Sequence, residues 1–62
     1  MTEAQACKRA RTISKEREGF WFVVWDGEYV VASGWDMETW FAFTPDRNIL
    51  HVYADGECED NG

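Results

Sequence analysis

Positive charge is nearly absent from most of this chain. Beyond Gly19, Arg47 is the one basic residue against nine acids, whereas the first 18 residues carry five basic side chains and three acids. A formal charge of −6 argues against direct nucleic-acid binding, which uses a basic surface to neutralise phosphates. No run approaches the roughly 18 apolar residues of a membrane-spanning helix, and "MTEAQACKRARTISKE" has no apolar segment of the kind a secretory leader needs. The expected setting is cytoplasmic, with no membrane partner.

Chemistry-bearing residues are also scarce. The two cysteines, Cys7 and Cys58, stand near opposite ends, and in a reducing compartment such a pair is expected as thiols rather than a bridge. A zinc site built from Cys7, His51 and Cys58 lacks the close ligand spacing and a fourth ligand, so no metal and no cofactor are expected. His51, the one histidine, lies within the apolar run "ILHVYA", where a strand-face role fits better than general-base work. Ser14 and Ser33 stand in no recognisable triad pattern. No phosphate-binding glycine loop, HExxH motif or EF-hand loop is present, and "DGECED" lacks the calcium loop's spacing and its terminal bidentate Glu. No catalytic residue is expected, and the protein reads as a non-enzyme.

What the chain does have is apolar and aromatic. Its 62 residues suit one domain, and four Trp, four Phe and two Tyr exclude disorder for the middle of the chain. Residues 2–18 read as a helix, with Thr2 and Gln5 at capping-box spacing. Ala4, Cys7, Ala10 and Ile13 form a narrow apolar stripe, and Gly19 is the terminator.

From Gly19 to residue 54 the pattern turns to strands. "FWFVVW" (20–25) and "YVVAS" (29–33) flank Asp26-Gly27, a two-residue hairpin signal that would set Val24 opposite Tyr29 and Phe22 opposite Val31. "TWFAFT" (39–44) and "ILHVYA" (49–54) flank "PDRN", a type I turn with Pro45 at its first central position, which would set Phe41 opposite Val52 and Trp40 opposite Tyr53. A helix over 36–43 capped by Asp36 competes with the third strand, but β-branched and aromatic content favours strand. The fold class expected is therefore α+β, an N-terminal helix packed on a four-stranded antiparallel β-meander, followed by an acidic tail over 55–62.

In such a meander alternate connections fall at one end of the sheet. Asp36, Glu38, Asp55, Glu57, Glu59 and Asp60 would share that end, with Trp35 among them and no base nearby. Both faces of the first strand are apolar, so a short helix should leave one uncovered, with Trp40, Tyr53 and His51 on it. Acidic loops also serve solubility alone. A carboxylate row, however, can accept the charge-assisted hydrogen bonds that Arg and Lys give to phosphate, and Trp35 would add an apolar anchor.

In size, acidity and helix-plus-sheet pattern, and in Asp36, Glu38, Asp55 and "ECED" (57–60), the chain resembles small phage-encoded anti-defence proteins of the anti-CRISPR type. That resemblance implies an inhibitor in the host-cell cytoplasm. Its partner would be the basic surface of a nucleic-acid-binding protein or CRISPR surveillance complex, occupied by DNA mimicry. The alternative expectation is a structural module that forms a homodimer through the aromatic face of Trp40 and Tyr53.

Overall fold

The computed structural model describes residues 1–59. A helix, α1 (Glu3–Glu16), precedes strands β1 (Trp21–Trp25) and β2 (Tyr29–Ser33), a short helix α2 (Gly34–Glu38), and a 3-10 turn over Asp46–Asn48. Strands β3 (Ile49–Ala54) and β4 (Glu57–Cys58) follow. The fold is α+β, a helix on a four-stranded antiparallel sheet in the order β2-β1-β3-β4.

Helix α1 begins where the capping box places it. The Gln5 N–H donates to Thr2 Oγ1 at 3.2 Å, and the Thr2 N–H donates to Gln5 Oε1 at 2.8 Å. It ends two residues short of the expected boundary, because Arg17 is extended and Gly19 takes φ +99°. The buried stripe is rotated from the one expected: Ala6, Ala10 and Ser14 are buried, while Ala4 is exposed and Ile13 half-buried. Small side chains at i, i+4 and i+8 let the helix axis approach the sheet more closely than a row ending in Ile13 would.

The β1–β2 hairpin differs from expectation by one residue. Its loop spans Asp26–Glu28, with Gly27 at φ +76°, so Trp25 rather than Val24 stands opposite Tyr29. A one-residue slip exchanges faces, and it places Val31 beside Val23 on the side that α1 covers. There Val23 and Tyr53 pack with Ala6 and Ala10, flanked by Cys7, Tyr29 and Val31.

The third expected strand does not form. Residues 39–44 run in successive turns, with the Phe41 N–H donating to Asp36 O and the Thr44 N–H to Phe41 O, each at 3.0 Å. Strand β3 pairs instead with β1, setting Tyr53 opposite Trp21, Val52 opposite Phe22 and His51 opposite Val23; an irregularity then brings Ile49 opposite Val24. The fourth strand comes from the supposed tail. Asp55 (φ +53°) and Gly56 (φ +81°) make a two-residue turn that sets Glu57 opposite Ala54 and Cys58 opposite Tyr53. This is the positive-φ geometry that suits the right-handed twist of a hairpin.

Strands β2 and β3 are both antiparallel to β1, so the segment 34–48 crosses over β1 to join them. Val24 and Ala32, on the face away from α1, are fully buried, and α2 packs against β2. The sheet face expected to be bare is therefore covered in part: Val24 and Ala32 are buried, while Phe22, Val30 and Val52 are half-buried.

Candidate partner-binding surface

The crossover is shaped by local hydrogen bonds. Ser33 caps α2: its Oγ accepts the Asp36 N–H at 3.1 Å, and Asp36 Oδ2 accepts the Ser33 N–H at 3.0 Å. Thr39 Oγ1 then donates to Trp35 O at 2.9 Å, closing the helix. These bonds satisfy backbone groups within the segment; Met37 and Phe41 are half-buried, whereas three large apolar side chains stand outward. Trp35 is 63%, Trp40 77% and Phe43 99% exposed.

At the far end of the crossover, Asn48 Nδ2 donates to Trp25 O at 3.2 Å, tying the 3-10 turn to the end of β1. Trp25 is held in turn by Tyr29, ring centroids 4.8 Å apart at 59°. Between them lies a groove of about 230 Å³ lined by Trp25, Asp26, Trp40, Phe41, Phe43, Thr44, Pro45 and Asn48. A larger depression of about 640 Å³ runs over the outer side of α1 between Gln5, Lys8, Arg9 and Ile13; it is bounded by one helix and encloses nothing.

The acidic residues expected as one edge are divided. The start of α2 and the Asp55-Gly56 turn do lie at the same end of the sheet, because Ser33 and Tyr53 both flank Trp21. They occupy opposite edges, however, with β1 and β3 between them, about 14 Å apart at the usual strand spacing. Trp35, Asp36 and Glu38 form the group at β2, and Asp55, Glu57 and Glu59 the group at β4; Asp60 lies outside the described residues. Asp36 is half-buried and its carboxylate caps α2. The β4 group also has a base beside it, since the Lys15 stem lies directly over Gly56.

Two residues expected on a bare aromatic face belong elsewhere. Tyr53 is only 4% exposed and sits under α1, where the Arg11 guanidinium stands 5.6 Å from its ring centroid. His51 faces the helix too, its Nε2 3.1 Å from Glu3 Oε2. Burial, reinforced by a hydrogen bond to the Cys7 side chain, pushes the Tyr53 phenol up to about 12. It stays neutral at physiological pH and is closed to a partner.

No family model, curated protein or solved structure matches this chain.

Among the described residues no three His, Cys, Asp or Glu side chains are grouped to hold a metal ion, and no helix is long and apolar enough to cross a membrane. Sequence reasoning missed the groove formed by Trp25 with Trp40, Phe43 and Pro45. Its signal was the run of outward aromatics in "TWFAFTP", which no half-buried strand would need.

Proposed function

We propose that the protein is a non-enzymatic binding module that docks on a basic protein surface through exposed carboxylates. One observation carries this reading: from Asp26 onward, among the described residues, no carboxylate is paired with a Lys or Arg of the same chain. Asp36 is engaged as a helix cap, whereas Glu38, Asp55, Glu57 and Glu59 are exposed. Like charge concentrated at one end of a small domain destabilises it slightly and gains its use when opposite charge arrives.

The narrower form of the proposal is DNA mimicry. The two acidic groups would take the places of phosphates on the basic surface of a nucleic-acid-binding assembly such as a CRISPR surveillance complex. Carboxylates accept the same charge-assisted bonds from Arg and Lys. The test is competition against target DNA on purified surveillance complexes, comparing the protein with a variant carrying Glu38→Lys, Glu57→Lys and Glu59→Lys. Asp36 is left intact because it caps α2. DNA displacement by the parent and not by the variant is expected; equal displacement, or none on any complex, refutes the proposal.

A second reading, self-pairing through the crossover, draws on the exposure of Trp40 and Phe43. Tyr53 is buried under α1, so such pairing would use the crossover and not the sheet face. Sedimentation at a monomer mass across the concentration range would dismiss it.

A further inference from the structure

We propose that the groove between Trp25 and the crossover receives the guanidinium of an arginine presented by a basic segment of the partner protein. This rests on the reading above that the partner is basic, and it supplies the specificity that exposed charge lacks.

The size of the groove narrows the occupant. At about 230 Å³ it falls below the ~300–1,000 Å³ of sites that take a whole small-molecule ligand, and it suits one long side chain. Its walls are Trp25, Trp40 and Phe43, flat faces on which a planar cation stacks. The charge is complementary. Asp26 lines the groove, and Glu28 and Asp46, both exposed, stand in the adjoining β1–β2 loop and 3-10 turn with Arg47 as the local base. Asn48 is committed through Nδ2 to Trp25 O, leaving its carbonyl oxygen as an acceptor for a guanidinium N–H. The Trp25–Tyr29 ring pair and the Asn48 bond fix one wall in advance, lowering the ordering cost on binding.

Arginine is favoured over lysine by geometry. A guanidinium can stack on an indole and still donate in its plane to Asp26 and Asn48, whereas an ammonium is compact and more strongly hydrated.

The experiment is an NMR titration of the intact protein, following the indole N–H signals of Trp25 and Trp40. The probes are three capped Gly-rich peptides, identical except for two Arg, two Lys or two citrulline residues. Saturable shifts at both indoles are expected with the Arg peptide, with affinity at least about threefold weaker for Lys and about tenfold weaker for neutral citrulline. Trp40→Ala should weaken Arg binding about 5- to 30-fold with an unchanged melting curve, since Trp40 is largely solvent-exposed. Asp26→Asn should weaken it about fivefold, and Glu57→Lys with Glu59→Lys less than twofold.

Equal binding of the three peptides, or Arg-induced shifts confined to residues 55–59, would overturn the groove and leave the acidic docking surface standing. Peptide-independent shifts that grow with protein concentration would overturn it in favour of self-association. Arg binding in the groove with no displacement of DNA from any surveillance complex would support this inference and refute the target proposed above.

Discussion

Replacing Ser14 by Ala is expected to destabilise the protein far more than a helical Ser→Ala change should. Ser14 lies in the last turns of α1, only 2% exposed. Its hydroxyl donates to Arg11 O at 2.8 Å and accepts the Gly56 N–H at 2.8 Å, from the turn between β3 and β4. Gly56 is itself buried, so removing the hydroxyl leaves a backbone donor without a partner, at a cost of about 1–3 kcal/mol. The better helix propensity of Ala returns up to roughly 0.5 kcal/mol, for a net loss near 1–2 kcal/mol. In a domain of this size that lowers Tm by roughly 5–15 °C.

Thr12 provides the control two residues away. Its Oγ1 makes the same kind of bond, to Lys8 O at 3.0 Å, but is solvent-exposed and accepts nothing from the sheet. Thr12→Ala should therefore be neutral or stabilising by up to about 0.5 kcal/mol. Urea and thermal unfolding followed by circular dichroism measure both variants, and hydrogen exchange at the Gly56 amide localises the effect. If Ser14→Ala proves as stable as Thr12→Ala, with Gly56 still protected, the tie between helix and turn is not what holds β4 in place.

Three further outcomes are open to test. Gly56→Ala forces φ +81° on a side chain whose Cβ would stand 2.6 Å from Lys15 Cγ and Cε; a loss of about 1–2 kcal/mol is expected from the backbone alone, so adding Lys15→Ala should restore less than half of the measured deficit in urea unfolding. Ser33→Ala removes the α2 cap and should cost about 0.5–2 kcal/mol, seen as a lower urea midpoint. Burial and the Cys7 hydrogen bond raise the Tyr53 phenol from 10.0 to about 12, so the folded state holds that proton more tightly than the unfolded one. The resulting stability is complete below pH 10 and declines as pH climbs toward 12; denaturation across that window should show a slope that Tyr53→Phe flattens.

The parts of the fold legible in the sequence were those with a local cause. Thr2 and Gln5 set the start of α1, and Asp26-Gly27 between two apolar runs set the first hairpin, though one residue away from its true register. Failures arose where two local signals competed. Residues 39–44 have strand composition, yet Ser33 and Asp36 form a capping box just upstream, and once α2 starts the following turns are closed by Thr39 and Phe41. Asp55-Gly56 is as strong a hairpin signal as Asp26-Gly27, but the acids around it hid a strand only two residues long. A single acidic edge requires a meander; without a strand over 39–44 the acids divide between β2 and β4. Tyr53 moved from surface to core for the same reason, since pairing with Trp21 turned it toward the helix. Only half of the groove is legible, in the aromatics of "TWFAFTP"; the other half depends on Asn48 meeting the carbonyl of Trp25, 23 residues earlier.

The crossover over 34–48 also governs how the molecule assembles. Each hairpin can form from its own neighbours, but β1 finds β3 only when the crossover closes, and that closure spends chain entropy before the central pairing repays it. The segment whose closure makes the long-range pairing thus carries the aromatic groove and part of the acidic surface on its outer side. A partner gripping those outer residues binds only the closed chain, and so protects the native state by mass action, about 2.7 kcal/mol at a hundredfold excess over Kd. A 62-residue domain with a small core would then be most resistant to unfolding and proteolysis when occupied.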